Sequence, residues 1–325
     1  MSGHETLRVG TRGSALALRQ TEDIVARMER EVPGSRFETV KVVTHGDRFQ
    51  EKPIAEMGTE VERGIFNTGL EDAILRGEVD FTTCSFKDVQ SELRPHLTAT
   101  SVAPREDHRD VLVSRHGVPL AELPRNATLA TSSPRRISQL KAFRPDFRFE
   151  PLRGNVPTRV ERESRRFDGI VLAAAGLIRL GMQAHICAFI DEAVLLPAPA
   201  QGAMGCEYRA DHHRVEALVR AIRHPETELC VRTEKALLVR LSGGCFAPVG
   251  VLAQVRDGRL SVRCRVASLD GRKVVEAVET GLPEDAPAML EALEARLAEQ
   301  GGLAIVRDVR EALQTGRPGA PRESA

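Results

Sequence analysis

The chain is short of several things that would have named a function at once. None of its six cysteines (Cys84, Cys187, Cys206, Cys230, Cys245 and Cys264) forms a CxxC pair, and its nine histidines include no HExxH. That leaves neither a zinc ribbon, a thioredoxin-like redox motif nor a metal site to expect. No GxxxxGK[ST] or GxGxxG occurs, so nucleotide phosphate is not favoured over carboxylate as a ligand. No apolar run approaches a membrane span, and the start, MSGHETLRVG, lacks the basic-then-apolar pattern of a secretory leader. A cytoplasmic protein with no membrane partner is expected. Formal net charge is zero, which argues against a nucleic-acid binder. Lysine is scarce too: of 46 basic residues only six are lysine.

What is present is an alternating pattern. LRVG, SALALRQTEDIVARMERE, FETVKVV, FNTGLEDAILRG and DFTTCSFK read as strand, helix, strand, helix, strand, with Ser14 as N-cap of the first helix. A second α/β series follows APREDH: RDVLVSR, TLATS, a helix over Pro134 to Phe143, FRFEPLR and DGIVLAAAG. Beyond the non-helical LLPAPAQGAMG come helices near Val215 to Ile222 and Glu226 to Leu241. Three strands then follow, separated by Asp257-Gly258 and Asp270-Gly271, both read as type I′ hairpin turns. Helices around Ala286 to Glu299 and Ile305 to Gln314 close the fold. At 325 residues, two or three domains are expected, the last of them small and α+β.

Ligands of open α/β sheets bind at the carboxyl ends of strands, and several arginines fall in loops there: Arg12 in GTRGSA, Arg135 and Arg136 in TSSPRR, Arg153 in LRGN, Arg159 in VPTR and Arg179 in GLIRLG. Guanidinium forks of this number suit a polyanion. Lys87 and Asp88 stand at the end of a strand in SFKDVQ, where a carboxylate can accept N–H hydrogen bonds and move protons, or simply close a salt-bridged turn. Cys245 in LSGGCFAPVG reads either as a small buried residue or as an accessible nucleophile presented by two glycines.

Together these segments resemble the porphobilinogen deaminase (hydroxymethylbilane synthase) family. The resemblance runs in family order from RVGTRGSALALRQ through VVTHGD, SFKDV, REDHRDVLVS, TSSPRRISQL, EPLRGNVPTR, DGIVLAAAGLIRLG and LPAPAQGAMG to GGCFAPVG. It implies two α/β domains like the halves of a periplasmic binding protein, with a cleft between them, and a small C-terminal α+β domain with a three-stranded antiparallel sheet. The implied boundaries are 1–103 with 201–222, 104–200, and 223–325. It also implies a transferase that condenses four porphobilinogen molecules stepwise onto a dipyrromethane primer bound through a thioether to Cys245, then releases hydroxymethylbilane. Asp88 matches the catalytic aspartate. Arg12, Arg135, Arg136, Arg153, Arg159 and Arg179 match arginines that hold cofactor and substrate carboxylates, with Lys87, Ser14, Ser85, Ser132, Ser133, Phe66, Gly154, Gln201 and Gly202 completing the implied site. A cytoplasmic monomer acting on a small molecule, without nucleic acid, is the matching expectation.

The chain departs from the family pattern in places. IAEMGTEVERGIF carries Glu56, Glu60 and Glu62 where the family usually supplies lysines, Cys84 and Gln90 stand for a usual His and Pro, Pro134 for a common Leu, and Ser242 for an acid. A catalytically impaired paralogue that binds a tetrapyrrole-like polyanion is the alternative these changes raise. A plain solute-binding protein is a third reading, in which Cys245→Ser would leave function unchanged.

Overall fold

The computed structural model describes residues 6–44, 68–241 and 247–315. In chain order these form β1 (Leu7–Thr11), α1 (Ala15–Glu31), β2 (Phe37–Lys41), α2 (Thr68–Leu75), β3 (Phe81–Ser85), β4 (Leu97–Val102), β5 (Asp110–Val113), β6 (Thr128–Ala130), α3 (Pro134–Phe143), β7 (Arg148–Glu150), β8 (Gly169–Ala173), α4 (Ala174–Arg179), β9 (Ala188–Phe189) and β10 (Met204–Arg209). The remainder is α5 (His213–Ala221), α6 (Pro225–Arg240), β11 (Val249–Arg256), β12 (Arg259–Ala267), β13 (Val274–Gly281), α7 (Ala286–Glu299) and α8 (Gly302–Thr315).

Two mixed five-stranded sheets share one plan. The first has the order β2-β1-β3-β10-β4, with β2, β1 and β3 parallel and β10 antiparallel to both its neighbours. The second runs β7-β6-β8-β5-β9, with β7, β6 and β8 parallel and β5 antiparallel to β8 and β9. The chain therefore leaves the first sheet after β4, builds the second, and returns to insert β10 between β3 and β4. Two crossover segments result, and they run side by side: Glu106 N–H donates to the Gly202 carbonyl at 3.2 Å and the Gln201 amide to the His108 carbonyl at 2.8 Å. The third sheet is antiparallel, β11-β12-β13, with α6, α7 and α8 closing over one apolar cluster.

The local rules hold at most ends. The Ser14 hydroxyl accepts from Ala17 N–H at 3.3 Å, and Pro134 occupies the first turn of α3, where its missing N–H costs nothing. Asp257 and Gly258 both have positive φ, 50° and 73°, as a type I′ turn requires. The second hairpin is a correction. β12 ends at Ala267 and β13 begins at Val274, so six residues intervene. Asp270 does not adopt positive φ; its carboxylate instead accepts from the Ser268 hydroxyl and Arg272 N–H. Gly271 alone is left-handed at 73°, and a Cβ there would lie 2.3 Å from the Ala142 nitrogen. The longer loop is what seats the third sheet against α3.

Strands β4 and β10 went unread in the sequence. LTATSV carries β-branched Thr98, Thr100 and Val102, and MGCEYR alternates Met204, Cys206 and Tyr208 with Gly, Glu and Arg, so a strand signal was present in each; both are almost wholly buried. Gly205 explains part of this burial: a Cβ there would fall 2.3 Å from the Phe86 ring.

Among the described residues no helix is long and apolar enough to cross a membrane. One buried acid marks the first sheet: burial, then the neighbouring Glu71 carboxyl, raise the pKa of Glu207 on β10 from 4.5 to about 8, with Lys235 pulling the other way. Between those values the unfolded chain has released a proton that the folded protein keeps, so stability falls as pH rises from about 4.5 to about 8, at most by about 1.4 kcal/mol per pH unit. Glu207→Gln, which cannot ionise, is expected to flatten that decline in urea denaturation at pH 5 and pH 8. Parallel declines in the two proteins would exclude Glu207 as its source.

Candidate functional site

All three sheets contribute to one cavity of about 190 Å³. Lys87 and Asp88 enter it from the single 3-10 turn, Phe86–Asp88, that follows β3. Ser133, Arg135 and Arg136 come from the N-terminal turn of α3, and Gln201 from the returning crossover. Lys235 and Leu238 on α6, with Ala247 and Val249 at the start of the third sheet, complete the wall.

Behind it, Asp110 at the head of β5 is wholly buried and organises two of the arginines. Its Oδ2 accepts from Arg135 Nη1 at 2.7 Å, and its Oδ1 from Arg136 Nη2 at 2.7 Å and Nε at 3.0 Å. Burial would raise the Asp110 pKa, but the two guanidinium groups outweigh it and hold the carboxyl well below the usual range. Gln201 joins this group to the Phe86–Asp88 turn. Its Nε2 donates to Asp110 Oδ1 at 3.2 Å, and its Oε1 accepts from Lys87 Nζ at 3.4 Å. Two arginines share one carboxylate, and the Nε of Arg135 is buried with no hydrogen-bond partner. The same holds for Arg159 Nε. Burial, then Arg136 and Arg153, lower the Arg159 pKa to about 10. Among the described residues, four basic side chains, Lys87, Arg135, Arg136 and Lys235, line a cavity that shows one carboxylate, Asp88. An anion with several carboxylates would offset the excess positive charge of this lining.

Comparison with known proteins identifies what is built this way. Residues 7–217 match the family model "Porphobilinogen deaminase, dipyromethane cofactor binding domain", and residues 228–299 match "Porphobilinogen deaminase, C-terminal domain". The chain belongs to the porphobilinogen deaminase family. It is 43% identical to the porphobilinogen deaminase of Desulforudis audaxviator and 40% identical to that of Syntrophobacter fumaroxidans, each over 304 residues that cover 93% of this chain and 97% of the relative. Among solved structures, the periplasmic VFT2 domain of Bordetella pertussis BvgS overlays 68% of this chain and 88% of its own, with a TM-score of 0.41 at 15% identity. That likeness is too distant to add to the assignment.

Of the residues expected to form this deaminase's site, Lys87, Asp88, Ser133, Arg135, Arg136 and Gln201 meet at the cavity. Arg135 and Arg136, expected to hold cofactor and substrate carboxylates, each already bond Asp110, so part of each fork is engaged. Arg179 on α4 donates to the Gly202 carbonyl at 2.6 Å, clasping the second sheet to the crossover. Gly202 has φ 93°, and a Cβ there would meet the Glu106 carbonyl at 2.4 Å, so glycine is needed for the two crossovers to lie together. Ser132 bonds both N–H and C=O of Leu152, and Ser85 pairs with Gln20. Ser14 caps α1, and Arg12 is half-buried in the turn before it. Arg153 and Gly154, at φ 93°, precede the Asn155-capped turn that passes into a five-residue π-helical stretch, Arg159–Glu163. Such widened turns are frequent at functional sites. Phe66, Cys245 and the acidic Glu56, Glu60 and Glu62 lie outside the described residues.

Sequence reading missed Asp110 and Lys235. The signal for Lys235 was there: Val231, Lys235 and Leu238 share one apolar helical stripe, in which a lysine is out of place.

Burial, partly offset by Asp88 and reinforced by Arg136, lowers the Lys87 pKa from 10.5 to about 8. As pH rises through that value Lys87 loses the charge that would meet a substrate carboxylate. We expect kcat/KM for porphobilinogen to fall above about pH 8, and Lys87→Arg, charged throughout, to carry its plateau at least one unit higher. An identical alkaline limb in both enzymes would assign that limb to another group.

Proposed function

We propose that the protein condenses four porphobilinogen molecules, with loss of ammonia, into hydroxymethylbilane, on a dipyrromethane primer carried by Cys245. The observation that carries this is the cavity where Asp88 stands among Lys87, Arg135, Arg136 and Lys235. The residues present fit a polycarboxylate cofactor: Arg135, Arg136, Arg153 and Arg159 would hold its acetate and propionate groups. When bound, the primer would supply the nucleophilic pyrrole carbon to which the first monomer is joined, each later monomer joining the ring added before it. Cys245 stands two positions before Ala247, which lines the cavity, and four after Leu241, at the end of α6.

The chain's own residues do the rest. The Asp88 carboxylate accepts the pyrrole N–H of the incoming monomer and stabilises the positive charge that develops as ammonia departs. Lys87 and the two α3 arginines orient that monomer by its side-chain carboxylates, so that the reacting carbons meet at high effective concentration. Asp110 keeps both arginines in place while the ligand changes, because their bonds to it are made before any ligand arrives. The working unit is proposed as a cytoplasmic monomer with domains 1–103 plus 201–222, 104–200 and 223–325, a division supported by the membership of the three sheets. Light scattering at 35.6 kDa is expected, and twice that mass would refute the monomer.

Turnover of porphobilinogen by wild type beside Asp88→Asn tests the mechanism, with a loss on the order of 10²- to 10⁴-fold expected. Equal turnover would remove Asp88 from the reaction. Intact mass should show a two-pyrrole adduct on wild type and none on Cys245→Ser. An adduct that survives in the serine variant would place the attachment elsewhere.

A further inference from the structure

Lys235 has no part in the reaction as derived so far, although it lines the same cavity as Asp88. It projects from the buried face of α6, and its Nζ donates to the backbone carbonyl of Val89 while lying 5.9 Å from the centroid of the Phe86 ring. Phe86, Lys87 and Asp88 form the single 3-10 turn, and Val89 is the residue that closes it. A single such turn holds itself weakly. Its own hydrogen bond, Val89 N–H to the Phe86 carbonyl, is long at 3.3 Å. The turn is tied down at its start by Phe86 N–H to the Ala203 carbonyl at 2.9 Å, and across its middle by the 3.4 Å contact of Lys87 with Gln201. At its end the tether is Lys235. Val89 is 2% exposed, so its carbonyl needs a partner within the protein, and an ammonium is a stronger donor than a neutral amide.

We propose that Lys235 is a positioning residue that fixes the Phe86–Asp88 turn, and with it the Asp88 carboxylate, against the helix leading to Cys245. The proposal rests on Asp88 being the catalytic carboxylate. Its consequence is that α6, through Val89, holds the group proposed to face the monomer.

The test uses the cofactor-loaded enzyme, with occupancy read by intact mass, and compares Lys235→Met and Lys235→Arg in the wild-type and Asp88→Asn backgrounds. For Lys235→Met, kcat per loaded enzyme is expected to fall on the order of tenfold or more, with KM for porphobilinogen within about twofold. Amide hydrogen exchange over residues 85–90 should quicken while that of β12 stays the same. Lys235→Arg should restore both readouts. In the Asp88→Asn background the second substitution should cost nothing further, because the two residues act through one group. Unchanged kcat and exchange would overturn the proposal. So would a raised KM with kcat preserved, which would make Lys235 a ligand-carboxylate site, or equal fractional losses in the two backgrounds. If Lys235→Met does not fold, Lys235→Gln, which can still reach the carbonyl without charge, is read by the same criteria. Undiminished turnover of Asp88→Asn alone would remove the catalytic assignment, and hydrogen exchange would still decide whether Lys235 holds the turn.

Discussion

The arrangement depends on one buried carboxylate, Glu234 on α6. It accepts from Arg105 Nη1 at 2.6 Å and Nη2 at 3.1 Å, from Ala200 N–H at 2.5 Å and from Ala253 N–H at 2.7 Å. Those donors come from the outgoing crossover, the returning crossover and the third sheet. An ionised carboxylate out of water is tolerable only when its lone pairs are met, so the three parts of the chain must converge wherever Glu234 is buried. Arg105 extends the junction, with its Nε on the Gln201 carbonyl at 2.8 Å. The next residue along α6 is Lys235, which carries the same junction forward to the Asp88 turn.

A second buried carboxylate, Asp110, does for charge what Glu234 does for shape. By holding two arginines with a single negative charge it lets the site be cationic without scattering the guanidinium groups into solvent. A fully neutralised cluster would have nothing to offer a polycarboxylate, and an unheld one would lose side-chain entropy on every binding event. The α3 helix that presents these arginines is braced from behind. Gln139 bonds both N–H and C=O of Leu196, and Arg265 of β12 reaches Gln139 at 3.2 Å. The third sheet therefore supports the arginine helix, and its first residue, Val249, lies with Ala247 on the cavity wall.

Much of this was legible one residue at a time. The α3 span, Pro134–Phe143, and α7, Ala286–Glu299, agree with the expected spans, and each has a proline in its first turn, although α3 buries two arginines, a serine and a glutamine. The Asp257-Gly258 turn declared itself because only residues tolerant of positive φ fit it. Strands β4 and β10 were legible only in part: the Met204, Cys206 and Tyr208 alternation is present, but burial on both faces puts threonine, serine, glycine and glutamate where polar residues read as exposed. The Asp270-Gly271 pair misled for a related reason: its glycine serves close contact with α3, not a two-residue reversal.

The sequence alone determined the family, the reaction class and the candidates for chemistry, because a motif series in order over nearly all the chain is a property of residues and spacing. Only the tertiary structure decided what those candidates are free to do. Arg135 and Arg136 look alike with Arg153 and Arg159 as letters, yet the first two are already engaged by Asp110, a partner some twenty-five positions away. Lys235 is an ordinary helix lysine until α6 packs beside Val89, 146 residues distant in the chain. Burial and long-range hydrogen bonding set the charge and orientation of a side chain, and neither exists until the chain has folded.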